Sequence, residues 1–176
     1  MIFGLFRKDP RHTTIATLYK RVATASRESG LYASLGIPDT VEGRFEALSL
    51  HMILTLRALR DLPAPADEVA KDLTDAFFRD MDASLREMGV GDTVVPKRMK
   101  KIAESFYGRA HAYDGPLNDS DEAGLAAALG RNAYGGAAPA TPLARYALAA
   151  DQGFRTVVLE TLLETGPVFP DPEAFA

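Results

Sequence analysis

The apolar residues between positions 66 and 88 constrain the fold of this chain most. Six of them recur every three or four positions with charged residues between: Val69, Leu73, Phe77, Met81, Leu85 and Met88. This spacing is typical of an amphipathic α-helix with one buried face, and Gly89 supplies a C-terminal stop. The opposite side carries acidic residues that we expect to be solvated: Asp72, Asp75, Asp80 and Asp82. The segment predicts a long helix that must pack against other helices.

Two helices are predicted before this segment. The first starts at a cap on Thr13 or Thr14 and ends near Gly30. The second starts at Asp39, which precedes a glutamate by three residues, as N-cap residues often do, and it ends before Pro63. Apolar residues occupy nearly the whole circumference of this second helix, which predicts a central position in a bundle.

Three helices are predicted after it. Pro96 suits the first turn of one, Asp119 caps a short alanine-rich helix that ends before Gly135, and Thr141 opens a last helix that ends at Gly166. No alternating strand pattern and no internal repeat stands out. The sequence therefore predicts an all-α fold, a single-domain irregular bundle of about six helices.

The predicted organisation has three parts. Residues 1–12 form a flexible apolar and basic tip, residues 13–165 form the helical domain, and residues 166–176 form a Pro-rich C-terminal tail. The tip is apolar first and basic second, the reverse of a secretory signal, so we expect a cytoplasmic protein. Peripheral contact of the tip with a membrane is the alternative, because apolar and basic contributions add at a bilayer surface.

Several kinds of chemistry find no support in the sequence. The chain has no cysteine, and its three histidines stand in no metal-ligand motif. Neither a nucleophile elbow nor a phosphate-binding glycine loop occurs. We therefore predict no catalytic residue, no metal and no cofactor. His51 is expected to be a hydrogen-bonded core residue, and His111 is expected to pair with Asp114 three residues later.

A basic cluster breaks a local rule. The net charge of the chain is −4, which argues against a DNA-binding protein. Four basic residues nevertheless lie in the first turn of the helix that Pro96 starts, where the helix dipole disfavours cations: Lys97, Arg98, Lys100 and Lys101. Such a departure often indicates function, and a solvated face neutralised by Asp92 and Glu104 is the alternative. With Phe106, Tyr107 and Arg109 on the same helix, these four are our candidate partner-binding residues.

Several separated blocks of the sequence carry a family resemblance. They are Leu31-Tyr32, Gly36–Thr40, Gly43–Glu46, Leu50-His51, Phe78–Met81, Arg86–Asp92, Pro96–Lys101, Phe106–Arg109, Tyr113-Asp114, Ser120-Asp121, Leu125–Leu129 and Arg131-Asn132. In this order they resemble the ubiquinol-cytochrome c chaperone family, in its alphaproteobacterial form. The resemblance covers roughly residues 13–165.

The resemblance implies an all-helical fold without cofactor chemistry and with no catalytic residues to transfer. It also implies binding of a newly made membrane protein, because the mitochondrial relatives act on cytochrome b, with a small partner subunit, at the ribosomal exit. Our leading hypothesis is an assembly chaperone for a cytochrome b-like client. One alternative is a ribosome- or RNA-associated adaptor that uses the basic helix without holding a client. Another is a haem or small-molecule binder with His51 or His111 as ligand.

Overall fold

The computed structural model describes residues 10–136 and 138–176, and the chain in these ranges folds into helices without strands. The elements are α1 Pro10–Ala25, α2 Ser29–Ala33, α3 Val41–Arg60, α4 Ala66–Glu87, α5 Val95–Asp119, α6 Glu122–Ala133, α7 Thr141–Phe154, α8 Leu159–Thr165 and a 3-10 helix at Pro172–Phe175. The all-α prediction is confirmed. The prediction of a flexible or membrane-contacting tip falls largely on residues 1–9, which lie outside the described residues.

Helix α3 is the centre of the bundle, as its apolar circumference predicts. It contacts α1, α4, α5, α6 and α7, and most of its residues are buried. The predicted cap is wrong by one position. Thr40 has the extended backbone of an N-cap, and its hydroxyl accepts a hydrogen bond from the Gly43 amide at 3.1 Å. Asp39 instead forms a surface ion pair with Arg44 at 2.8 Å.

The first turn of α3 packs very closely against the loop that precedes it. A Cβ atom added at Gly43 would lie 1.8 Å from the carbonyl oxygen of Pro38. This distance is far below a van der Waals contact, so only glycine fits here. The close approach fixes the direction in which the loop enters the central helix.

Two predicted helices are each split in the structure. The first ends at Ala25, and Gly30 lies inside α2 rather than at the end of α1. The intervening turn is held by side chains, because the Ser26 hydroxyl donates to the Ala23 carbonyl at 2.8 Å and the Tyr32 hydroxyl donates to Ser26 at 2.8 Å. The last predicted helix is divided into α7 and α8 by residues 155–158.

The predicted cap at Asp119 is also wrong. Helix α5 continues past Pro116 to Asp119 and ends at Ser120, which has a left-handed backbone with φ of 54°. Asp121 is the cap of α6, since its carboxylate accepts a hydrogen bond from the Gly124 amide at 3.0 Å. The longer α5 therefore displaces the next cap by two residues.

Helices α4 and α5 form an antiparallel pair. α4 ends at Glu87, Gly89 adopts a positive φ of 80°, and Pro96 lies in the first turn of α5, as predicted. Leu85 and Val95 are both buried near the end of this pair. Neither belongs to the connected hydrophobic core of the domain. Residues 82–104, called the arm below, therefore extend beyond the main bundle.

The acidic side of α4 is only partly solvated. Helix α1 lies along it, so Asp72 accepts a hydrogen bond from Arg11 at 2.6 Å and Asp80 accepts one from the Tyr19 hydroxyl at 2.7 Å. The interpretation of a wholly solvated face is wrong for these two carboxylates. They connect α1 to α4 instead.

The C-terminal segment covers the core next to α3 and α7. The Phe169 ring lies 4.4 Å from the His51 ring and 5.1 Å from the Phe154 ring, centroid to centroid. Pro172 is buried, and Phe175 packs edge-on against Tyr146. Residues 166–176 are thus packed against the helical domain.

Candidate functional site

The basic cluster forms an exposed face on the arm. All four side chains are exposed, whereas Val95 on the opposite side of α5 is buried. The Lys100 ammonium lies 3.8 Å from Glu104, and the ion pairs of the described residues include none to Lys97, Arg98 or Lys101. Asp92, considered above as a neutralising acid, instead pairs with Arg86. Within the part of the chain that the structure describes, three of the four cations therefore have no ion-pair partner.

The end of the arm is apolar. Met88 is 56% exposed and Val94 is 43% exposed, on either side of the turn that contains Gly89 and Gly91. Single exposed aliphatic side chains are ordinary on a protein surface, and Val41, Val158 and Val168 are exposed to a similar or greater extent. What distinguishes Met88 and Val94 is the run of cations that follows them in the sequence. The arm thus carries two exposed aliphatic side chains at its end and four exposed basic side chains in the following turns of α5.

A shallow apolar groove lies between α3 and α5. It has a volume of about 270 Å³, and its apolar lining comes from Ile53, Leu56, Phe106, Tyr107 and Ala110. Tyr107 is 57% exposed at its edge. The groove is slightly smaller than the roughly 300–1,000 Å³ of small-molecule sites. It can accept one or two apolar side chains of a larger partner.

An ion-pair network closes one end of this groove. Arg57 donates to Asp114, to Asp151 at 2.9 Å and to the Asn118 side-chain oxygen at 2.9 Å. Arg60 donates to the same Asp114 carboxylate at 2.9 Å. The hydrogen bond from Arg60, supported by the charge of Arg57, lowers the pKa of Asp114 below its ordinary value.

The prediction that His111 pairs with Asp114 is wrong. The Asp114 carboxylate is occupied by Arg57, Arg60 and Asn118. His111 is exposed at the edge of the groove. The sequence analysis missed the network, although two arginines at the end of an otherwise apolar helix were a signal for it.

Two of the candidate partner-binding residues lie inside the fold. Phe106 is 1% exposed, and its ring centroid lies 4.8 Å from that of Phe77 on α4. Arg109 binds both carboxylate oxygens of Glu46 on α3, with Nε 2.6 Å from Oε2. Its guanidinium also lies 5.4 Å above the Phe45 ring. These two residues hold α5 against its neighbours and leave the basic cluster and Tyr107 as the exposed candidates.

His51 is a core residue with both ring nitrogens engaged, as predicted. Its Nδ1 donates to the Ala47 carbonyl at 2.7 Å, because a carbonyl only accepts. Nε2 therefore accepts from the Tyr146 hydroxyl, also at 2.7 Å. Complete burial lowers the pKa of His51 to about 4, so the ring is neutral at pH 7. With no free nitrogen, His51 offers no axial position to a haem iron.

The described residues form neither a metal site nor a membrane-spanning helix. No group of three or more His, Asp or Glu side chains in the described ranges is arranged to hold a metal ion. None of the described helices is both long and apolar enough to cross a membrane.

Comparison with known proteins places the chain in a family. The model of the ubiquinol-cytochrome C chaperone family matches residues 33–169. The crystal structure of the Cbp3 homolog from Brucella abortus is similar over 98% of this chain and 98% of its own, with a TM-score of 0.84 and 38% sequence identity. A comparison with curated proteins gave no match. The chain belongs to the ubiquinol-cytochrome c chaperone family.

Proposed function

We propose that this protein is an assembly chaperone that holds a newly made, cytochrome b-like membrane subunit during biogenesis of respiratory complex III. Membership of the chaperone family supports an assembly role and a client protein. The observation that carries the proposal within the structure is the apolar groove between α3 and α5, with Tyr107 exposed at its edge. The role needs no catalytic residue and no cofactor.

The groove suits a segment of an apolar helix. Its floor of aliphatic and aromatic side chains can bury residues of a client helix that would otherwise be exposed to water. Arg60 remains half-exposed where the ion-pair network closes the groove. Arg60 binds Asp114 and Asp61, and its half-exposed guanidinium has further N–H groups that can donate to the last carbonyls of a client helix. The groove therefore offers both affinity and orientation.

The arm supplies a second surface in this proposal. Its basic cluster would dock the chaperone on a further partner. The family resemblance offers a ribosome or a small partner subunit, and an anionic membrane surface is the alternative. Such a basic surface mainly sets the rate and orientation of encounter. We place the protein in the cytoplasm, peripheral at the inner membrane where the client inserts.

Client capture tests the groove. The experiment compares the amount of newly translated cytochrome b that three proteins capture: the full-length wild type, the groove variant Ala110→Arg and the control variant Ala127→Arg. Ala127 is at an exposed position on α6. We expect the groove variant to lose about ten-fold or more in capture and the α6 variant to match the wild type, because a charged side chain blocks the apolar floor. Equal capture by both variants, with thermal unfolding unchanged, would contradict the proposal.

The second candidate function is a ribosome- or RNA-associated adaptor that holds no client. The observation that favours it is the basic face of the arm, where Lys97, Arg98 and Lys101 have no ion pair among the described residues. If the protein is such an adaptor, we expect it to sediment with ribosomes and to lose this sedimentation after ribonuclease treatment. We then also expect no crosslink between Tyr107 and cytochrome b. The chaperone function is supported if a photocrosslinker at Tyr107 captures cytochrome b and one at the exposed residue Val168 does not.

A further inference from the structure

The arm combines two kinds of surface that the client-holding role does not explain. At its end Met88 and Val94 are exposed, while Leu85 and Val95 beneath them are buried. The tip is therefore a folded turn on a packed helical pair, with its apolar side chains directed away from the packing. Exposed aliphatic side chains also occur elsewhere on this chain, so the inference depends on their position beside the basic cluster, which suits a partner that is both apolar and anionic.

The basic residues follow directly from this tip. With about 100° of rotation per residue, Val94, Lys97 and Lys101 fall within roughly 60° of each other on α5, with Arg98 and Lys100 on either side. Residues 93–103 contain four Lys or Arg and no Asp or Glu, in a chain whose net charge is −4. Cations thus lie within two turns of the exposed apolar side chains.

The acids near the arm do not cancel this charge. Asp82 and Asp92 both pair with Arg86, and Glu104 lies near Lys100. Glu87 is the remaining acid of the arm, whose residues 82–104 include five basic and four acidic side chains. The arm therefore keeps a local excess of positive charge on a chain that is acidic as a whole.

We propose that the arm docks the protein on the surface of an anionic lipid bilayer, with Met88 and Val94 among the head groups and the basic flank on the phosphates. An apolar tip flanked by Lys and Arg matches this interface, where burial of aliphatic groups and attraction to anionic lipid add. An RNA would use the cations but would leave the aliphatic tip in water. The inference rests on the proposed role of the arm as a docking surface and names its partner.

Docking by the arm would also set the distance between the groove and the membrane. With a rise of about 1.5 Å per residue, Tyr107 lies roughly 20 Å along α5 from Val94. The client groove would then stand close to the bilayer surface without entering it. This geometry suits a chaperone whose client leaves the groove for the membrane.

Sedimentation of the purified protein with lipid vesicles tests the inference. The vesicles contain phosphatidylcholine alone or phosphatidylcholine with phosphatidylglycerol. Each basic residue near an anionic surface contributes roughly five-fold to binding, so Lys97→Gln/Lys101→Gln should reduce partition to the anionic vesicles by about twenty- to thirty-fold. The matched variant Lys20→Gln/Lys71→Gln, at exposed positions on α1 and α4, should bind as the wild type does.

The apolar tip has its own variant. Met88→Ser/Val94→Ser keeps the charge and should lower binding to the anionic vesicles, most clearly at high salt, where the electrostatic contribution is screened. Binding that is equal for wild type and both arm variants would overturn the inference. So would binding that is lost on deletion of residues 1–9 with the arm intact, or binding to RNA without binding to anionic vesicles. Capture of cytochrome b in detergent, measured with the groove variants, fails or succeeds independently of these results.

Discussion

Replacing Arg109 by methionine distinguishes a residue that holds the fold from one that meets a partner. The sequence suggests the second role, because Arg109 follows the basic cluster on the same helix. The structure indicates the first, because the Glu46 and Arg109 side chains are only 8% and 16% exposed and bind each other. The variant Arg109→Met keeps most of the apolar stem and removes the charge.

The expected loss of stability comes from the Glu46 carboxylate, which stays buried without its partner. Without the guanidinium, the Glu46 carboxylate is buried and loses two charge-assisted hydrogen bonds, each contributing about 1.5–3 kcal/mol. The sum agrees with the roughly 3–5 kcal/mol found when one partner of a buried ion pair is removed. For a chain of this length each kcal/mol lowers Tm by about 2–4 °C. We therefore expect Tm to fall by about 6–20 °C.

Thermal and urea unfolding followed by circular dichroism measure this loss. The double variant Glu46→Met/Arg109→Met should recover most of the stability, because apolar side chains of similar volume can replace a buried ion pair at little cost. Lys101→Met, at an exposed basic position, should change the free energy of unfolding by less than about 0.5 kcal/mol. A variant Arg109→Met that melts within about 2 °C of the wild type but loses partner binding would refute the reasoning.

Three further predictions concern the core. The folded pKa of His51 is about 4, so the unfolded state, with a pKa of about 6.5, protonates first. The stabilising contribution of the neutral His51 ring is therefore complete above about pH 6.5. As the pH falls to about 4, the free energy of unfolding decreases by about 3 kcal/mol. The variant His51→Gln should lack this slope in urea unfolding across the same pH range. Gly43→Ala, whose Cβ would meet the Pro38 carbonyl, should lower Tm strongly, whereas Gly108→Ala, with nothing within 4 Å, should stabilise α5 by about 0.5–1 kcal/mol. Phe169→Ala should cost about 2 kcal/mol in thermal unfolding by uncovering the core, and an unchanged Tm would contradict the packing.

Helix existence was predictable from the sequence where the apolar period was strong and the ends were marked. Helix α4 is correct to within a residue or two at both ends, because Pro65 precedes it and Gly89 ends it. The caps were less predictable. Asp39 and Asp119 have the right spacing to a following glutamate, but Thr40 and Asp121 have equally suitable side chains. Only the path of the preceding backbone decides between neighbours of this kind.

The site was predictable only in its local part. The basic cluster is visible because four cations adjoin in sequence. Phe106 and Tyr107 were both predicted to bind a partner, yet consecutive helical residues point about 100° apart, and the structure buries Phe106 and exposes Tyr107. The groove forms where α3 and α5 cross. This contact joins residues that are distant in the sequence, so no local sequence pattern predicts it.

The ion pairs on α3 explain how a groove on an otherwise apolar helix keeps one shape. Apolar packing alone permits a helix to rotate with little change in buried area, whereas hydrogen-bonded charges require one geometry. Glu46 binds Arg109 towards the arm, and Arg57 binds Asp114 at the other end, so α5 is clamped to α3 on both sides of Ala110. These ion pairs hold the crossing of α3 and α5 beside the groove, so the groove is already formed before a client arrives, and this lowers the entropic cost of binding. The basic cluster lies outside the clamped part of α5, so contact of the arm with a bilayer would leave the shape of the groove unchanged.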